Sequence, residues 1–155
     1  GSDKVLINSA ALDSPKFIYE AAKEFGSQCI VISVDVLKDN NQYYVMENYG
    51  TKKSKYNLEN YLDIIQNKNA GEIFIQSINM DGSLNGYDLG IVDSIKDHIR
   101  IPLIISGGAG NWSHVKEALK KDIVSAASLT NIFHFTEKSI NNLKNFIEDE
   151  VYIRR

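Results

Sequence analysis

The sequence predicts an α/β fold in which parallel β-strands alternate with amphipathic helices. Five short apolar runs are rich in β-branched residues; they occupy residues 4–8, 29–35, 72–77, 102–106 and 122–129. Runs that are apolar on both faces are typical of buried parallel strands. A helical pattern follows every run; the helices are expected at residues 15–25, 57–67, 89–98, 113–121 and 137–148. This fivefold alternation indicates a parallel sheet with right-handed crossovers.

Local signals justify the helices in turn. The first opens at Ser14-Pro15, because serine can cap a helix and proline suits its first turn, and it stops at Gly26. The next two place apolar side chains at three-to-four spacing, as an amphipathic helix requires; these are Leu58, Tyr61, Leu62, Ile65, Ile91, Val92 and Ile95. The long interval at residues 39–55 is rich in tyrosine and contains Gly50, which suggests a small hairpin or lid.

The chain length bears on the architecture. A (β/α)8 barrel has about 250 residues, or about 31 per unit, so 155 residues hold about five units of an incomplete barrel. A flavodoxin-like sheet also has five parallel strands, and the arithmetic alone does not choose between the two. In either case we expect residues 1–155 to form a single domain.

Composition excludes several classes of function. The net charge is −3, which offers no basic face for nucleic acid. No apolar run approaches the length needed to cross a membrane, and no secretory leader is visible. The single cysteine, Cys29, forms no internal disulfide and no cysteine-based zinc cluster, and it fits a reducing, cytoplasmic location. No spacing of His, Cys, Asp or Glu predicts a metal site, and no cofactor is predicted.

Each predicted strand ends in small or polar residues. The carboxyl ends of parallel strands meet at one edge, where barrels and open α/β sheets keep their ligand sites. The most informative of these ends is the segment 106–111, Ser-Gly-Gly-Ala-Gly-Asn, which lies between a strand and a helix. Its glycines allow backbone N–H groups to approach an anion, so it predicts a phosphate cradle, with a tight turn as the alternative. Thr130 and Asn131, after the last strand, could donate to the same phosphate.

Two carboxylates are candidate site residues. Asp35 ends an apolar strand, where a carboxylate is suited to acid–base chemistry; the alternative is an ion pair with Lys38. Asp81 lies in the turn-rich segment 79–88, which we interpret as a loop that brings this carboxylate to a ligand. Calcium is rejected, because Val92 stands where the twelfth position of a calcium loop requires glutamate. We expect the histidines to be non-catalytic, with His98 and His114 solvated and His134 packed.

Several of these segments together are similar to the cyclase subunit of imidazole glycerol phosphate synthase. The similar segments are residues 3–11, 25–31, 71–73, 81–83, 86–88, 106–110 and 132–135. The resemblance implies the last five units of a TIM barrel. It also implies a lyase that takes ammonia from a glutaminase partner in a heterodimer. That ammonia closes the imidazole ring on a phosphorylated small molecule in histidine biosynthesis.

The resemblance also implies roles for individual residues. Asp35 corresponds to a catalytic aspartate, the acid of a pair whose second member is on a strand that this sequence lacks; Asn8 and Ser77 correspond to supporting residues. Asp81 and Gly82 correspond to one phosphate site, and Gly107 and Gly108, together with Thr130 and Asn131, correspond to the other.

The sequence departs from the family at four positions, where Gln76, Asn79, Thr130 and Asn131 replace the usual threonine, aspartate, alanine and serine. A related amidotransferase subunit that makes amidino groups on bacterial surface sugars is therefore an alternative. A non-catalytic half-barrel module is another. Because five strands cannot close a barrel, the exposed edges further predict a homodimer, and the chain alone is expected to be inactive.

Overall fold

The structure, a computed structural model, describes residues 1–130, 132 and 140–153. Seven strands are present among them: β1 Val5–Ile7, β2 Ile30–Asp39, β3 Gln42–Glu47, β4 Lys52–Asn57, β5 Glu72–Ser77, β6 Leu103–Ser106 and β7 Val124–Ala127. The helices are α1 Ser9–Asp13, α2 Pro15–Phe25, α3 Leu58–Asn67, α4 Leu89–Ile95, α5 Trp112–Leu119 and α6 Ile140–Ile147, and short 3-10 turns follow α2 and α4. The five predicted strands and the hairpin are therefore confirmed, and α6 covers the described part of the fifth predicted helix.

Strand order decides the architecture. The parallel strands pair in chain order, β1 with β2, β2 with β5, β5 with β6 and β6 with β7. A flavodoxin-like sheet would place its second strand outside its first, so this alternative is wrong. Strands β3 and β4 form the predicted hairpin, which pairs antiparallel with the last residues of β2. The fold is a partial (β/α) barrel with a hairpin added at the carboxyl end of β2.

The core lies between the sheet and the helices. Alternate residues of the central strands, such as Ile32, Val34, Ile73 and Ile75, are almost fully buried and belong to the same apolar cluster as Leu62 of α3. The intervening residues point to the opposite face of the sheet, because side chains alternate along a strand. That opposite face, the inner face of a barrel, carries the polar residues of the candidate site.

Side-chain caps fix the starts of three helices. Asn57, Asp88 and Asn111 each accept a hydrogen bond from a backbone N–H in the first turn of α3, α4 and α5, at 2.8, 3.1 and 3.1 Å. Ser14 makes no such side-chain bond, contrary to the expectation for α2; its backbone carbonyl accepts from the Phe17 N–H instead. These caps fix where the helices begin: α3 directly after β4, and α4 and α5 after the loops that follow β5 and β6.

The sheet remains open among the described residues, because no strand pair joins β1 to β7. Val5 and Leu6 of β1 are 44% and 57% exposed, although both are apolar. No helix in the described ranges is long and apolar enough to cross a membrane. Neither do those ranges contain a group of three or more His, Cys, Asp or Glu side chains that could hold a metal ion.

Candidate active and anion-binding site

A row of polar residues crosses the inner face at the carboxyl ends of three strands. Asp35 of β2 stands beside Gln76 of β5, and Gln76 stands beside Ser106 of β6 in the parallel register. All three side chains are partly exposed, whereas their strand neighbours Val34, Ile75 and Ile105 are buried in the core. The sequence predicted polar groups at this edge, and the register shows which of them share a face.

Asp35 is held by Asn8. The Asn8 Nδ2 group donates a hydrogen bond of 3.1 Å to Oδ2 of Asp35. Asn8 is itself fixed, because its backbone carbonyl accepts from the N–H groups of Ala11 and Leu12 at the start of α1. A rigid amide that donates to one carboxylate oxygen orients the other oxygen, which is what a positioned acid or base needs.

A cavity of about 210 Å³ lies at the ends of β5, β6 and β7; Gln76, the neighbour of Asp35 in the row, lines it, whereas Asp35 and Asn8 do not. It is lined by Gln76, Asp81, Gly82, Leu84, Ser106, Gly107, Gly108, Ala109, Ser128, Leu129 and Thr130. Five of the residues singled out as ligand-binding therefore lie together around one cavity. Asn131, the sixth, lies outside the described residues, as does His134.

Residues 78–88, here called the cavity loop, form one wall of this cavity. The loop is joined to the glycine segment by a 2.7 Å hydrogen bond from the Gly86 N–H to the Gly108 carbonyl. The Tyr87 hydroxyl donates to the Ser128 carbonyl at 2.9 Å, across to the end of β7. Burial raises the pKa of Tyr87, so this hydroxyl remains protonated and able to donate. The three strand ends thus form one connected rim.

Two glycines are required by this packing. Gly107 and Gly108 have φ angles of +97° and +99°, a region that side chains rarely adopt. A Cβ atom on Gly107 would lie 2.7 Å from the Ser77 carbonyl oxygen, and one on Gly108 would lie 2.0 Å from the Gly86 carbonyl oxygen. Glycine therefore allows three backbone segments to meet at the cavity.

Comparison with known proteins agrees with this geometry. A family model described as "Histidine biosynthesis protein" matches residues 1–139. The chain belongs to the histidine biosynthesis protein family.

Curated relatives within this family carry a more specific name. The chain is 40% identical to the imidazole glycerol phosphate synthase subunit HisF of Hydrogenobaculum sp., over 99% of this chain and 62% of the relative. It is 41% identical to the subunit of that name from Exiguobacterium sp., over 94% of this chain and 56% of the relative. For the Chlorobaculum parvum subunit the identity is 39%, over 97% and 60% of the two chains. The chain therefore spans about three fifths of the length of the curated relatives it matches.

Ser77, which the resemblance gives as a supporting residue, does not line the cavity. In this member of the histidine biosynthesis family its side chain is buried on the helix-facing side of β5, opposite to Gln76. It contributes through its backbone, since its carbonyl accepts the Asp81 N–H at 3.1 Å. Gln76, which was not selected from the sequence, takes the cavity-lining position. The alternation along β5 contained this signal, but the strand register was needed to interpret it.

His114 also differs from the expectation of a solvated side chain. Its imidazole is half-buried, and its Nδ1 atom accepts a 3.1 Å hydrogen bond from the Gly110 N–H. The ring lies 3.5 Å from the position of a Cβ on Gly86. His114 therefore holds the glycine segment of this histidine biosynthesis protein through the Gly110 N–H, although it does not line the cavity.

Proposed function

We propose that this chain forms the last five βα units of a cyclase of the imidazole glycerol phosphate synthase type, as one part of a (β/α)8 barrel. In this proposal the complete enzyme uses ammonia to close an imidazole ring on a phosphorylated substrate in the cytoplasm. The observation that carries it is the row in which Asp35, held by Asn8, stands next to Gln76, a lining residue of the glycine-rimmed cavity. The names of the curated relatives support the same activity.

Each group has a role that follows from its chemistry. Asp35, oriented by Asn8, is the proton donor of the ring closure. The segment containing Gly107 and Gly108 precedes the amino end of α5, where backbone N–H groups and the helix dipole favour an anion such as phosphate. The Asp81 carboxylate is suited to accept from a substrate hydroxyl. Thr130 and Asn131 complete the set of proposed substrate-binding residues.

The proposal includes a partner. Ring closure consumes ammonia, which a glutaminase subunit in a heterodimer would release next to the cyclase. The relatives are named as subunits, which is coherent with such an assembly.

A titration with inorganic phosphate tests the anion site. Phosphate should shift the backbone amide NMR signals of Gly82, Gly107, Gly108 and Thr130, because these residues line the cavity. Sodium chloride at matched ionic strength is the control and should leave these four signals in place. Phosphate-induced shifts that avoid both the cavity loop and the glycine segment would contradict the proposed site.

We also propose that the isolated chain forms a two-fold dimer. The free edges of β1 and β7 and the exposed side chains of Val5 and Leu6 would otherwise face water. A closed dimer buries the same patch on both copies. Sedimentation at micromolar concentration should give twice the chain mass, and a compact, stable monomer would be evidence against the dimer.

A second candidate function is supported by the lining of the cavity. Gln76 and Thr130 both face it and replace the smaller side chains usual in the cyclases that the sequence resembles. This favours a changed substrate, as in an amidotransferase subunit that makes amidino groups on surface sugars. A gene located among sugar-nucleotide genes would favour this candidate, and a gene among histidine genes would favour the cyclase.

A further inference from the structure

Two paired residues contact the two ends of the cavity loop: Lys38, near the end of β2, and Tyr43, in the first strand of the hairpin. At the start of the loop, the Asn79 side chain makes two hydrogen bonds to the backbone of Lys38 in β2. The Lys38 N–H donates to Asn79 Oδ1 at 2.6 Å, and Asn79 Nδ2 donates to the Lys38 carbonyl at 3.1 Å. An amide is required for this pair of contacts, because a carboxylate has no N–H to donate.

At the end of the loop, the hairpin makes a second contact. The Tyr43 hydroxyl donates to Oδ1 of Asp88 at 3.1 Å, and the same oxygen caps α4 through the Gly90 N–H. Burial and the Asp88 charge raise the pKa of Tyr43 to about 12, so the hydroxyl is protonated at neutral pH. A Cβ on Gly90 would lie only 2.6 Å from this hydroxyl, which shows how closely the two elements approach.

The two attachment points are neighbours. Lys38 and Tyr43 are directly paired in the antiparallel register of β2 and β3, and the Lys38 ammonium lies 5.4 Å from the centre of the Tyr43 ring. This one cross-strand pair, Lys38 of β2 and Tyr43 of the hairpin, therefore holds the cavity loop at Asn79 and at Asp88. Between these points lie Asp81, Gly82 and Leu84, which line the cavity; Lys38 and Tyr43 do not.

We propose that Asn79 and Tyr43 are positioning residues through which the end of β2 and the hairpin paired with it set the cavity loop. The order of the hairpin and anion binding in the cavity are therefore coupled. The coupling to an anion rests on the proposed function, whereas the coupling between hairpin and loop does not. Linkage is reciprocal, so an anion in the cavity also stabilises the hairpin.

The test compares the chain with the variants Asn79→Leu and Tyr43→Phe. Both keep the approximate size of the side chain and add no charge; Asn79→Leu removes the two bonds to Lys38 and Tyr43→Phe removes the bond to Asp88, so the fold should persist. Tyr44→Phe is the matched control, because the Tyr44 hydroxyl, on the same strand, donates only to the nearby Gln42 side chain. Amide hydrogen exchange is measured first in the absence of phosphate, at Gly86 and at the amides of the hairpin. Gly86 is chosen because its N–H bonds to the Gly108 carbonyl and because it lies seven residues after Asn79 in the cavity loop.

We expect both variants to speed exchange at Gly86 by at least about threefold to tenfold, since Tyr43→Phe loses one hydrogen bond and Asn79→Leu loses two, with no change in Tyr44→Phe. Faster exchange confined to the hairpin in both variants would overturn the proposal, since it indicates only a local structural role. With inorganic phosphate, the variants should bind about threefold to tenfold more weakly than the parent. In the parent, phosphate should also slow exchange in the hairpin. Phosphate affinity equal to that of the parent in both variants would overturn the coupling to the anion.

The two proposals fail in different ways. If the parent binds no phosphate, the proposed anion site is wrong, and the exchange at Gly86 in the absence of phosphate still decides whether the hairpin positions the loop. If the parent binds phosphate at the cavity and its hairpin amides are unaffected, the anion site stands and the coupling is wrong.

Discussion

Asp35→Asn in a complete barrel should lower the rate of ring closure by about 10²–10⁴, the usual contribution of a general acid or base. Asparagine keeps the shape of the side chain and removes the proton that the reaction transfers. The measurement is steady-state product formation with ammonium salt as nitrogen donor, which needs no glutaminase. Substrate binding should change little, because the proposed phosphate-binding segments are untouched.

A matched control is available on the same strand. Asp39 ends β2 and pairs with Lys53 of the hairpin at 3.0 Å, so Asp39→Asn removes a carboxylate without touching the row of Asp35, Gln76 and Ser106. It should retain nearly the parental rate. Equal rates for the two variants would remove Asp35 from the mechanism.

The 155-residue chain by itself should show no turnover in this assay. Ring closure needs one group that removes protons and another that donates them. Among the described residues, the inner face offers Asp35 at a strand end, and Asp81 lies on a loop. Adding the βα units that the longer relatives contain, in cis or as a separate fragment, should restore activity. Robust turnover by the chain alone would contradict the need for a partner carboxylate.

Gly108→Ala should have the second largest effect. The new Cβ would lie 2.0 Å from the Gly86 carbonyl oxygen, and the residue would keep a φ of +99°. The strained backbone costs about 1–2 kcal/mol, and separating the two segments adds to this, so we expect a loss of about 3 kcal/mol in the free energy of unfolding. Phosphate affinity should fall at least tenfold, because displacing Gly86 moves the cavity loop.

Gly82→Ala is the control that distinguishes backbone strain from the steric clash expected in Gly108→Ala. Gly82 also has a positive φ, +73°, but no atom lies within 4 Å of the point that an alanine Cβ would occupy there. The free energy of unfolding of Gly82→Ala, measured by chemical denaturation, should fall by about 1 kcal/mol, and the amide NMR signals of Gly86 and Gly108 should not move. If the two alanine variants are equally stable, the close approach at Gly108 does not hold the site together.

The sequence patterns predicted the strands and helices better than they predicted which strands pair and in which register. Strands and helices follow from local periodicity, so the five βα units and the hairpin are all local properties, whereas the predicted side-chain cap at Ser14 is absent. The choice between barrel and flavodoxin-like order depends on which strands pair, which no single segment encodes. Which of the neighbours Gln76 and Ser77 faces the cavity likewise depends on the register of β5.

The sequence identified some site residues by their chemical groups, but it did not identify the hydrogen bonds that hold the site together. Asp35, Asp81 and the glycines stand out as chemical groups at strand ends, and the structure brings them to one edge. The bonds of Asn79 to Lys38 and of His114 to Gly110 join residues 41 and 4 positions apart through atoms whose direction depends on folded loops. Loop conformation is set by tertiary contacts, so these supporting residues had no recognisable pattern.

The chain order of the parallel strands has a consequence for how stability is distributed. Each strand pairs only with the parallel strands before and after it in the chain, apart from the hairpin on β2. The molecule therefore resembles a short stack of repeats, in which every layer is held by its immediate neighbours. Among the described residues, the middle layers, around β2, β5 and β6, have a parallel neighbour on both sides, whereas the layers of β1 and β7 have one. Order in this stack is passed from layer to layer, and it is weakest at the two ends where another layer could be added.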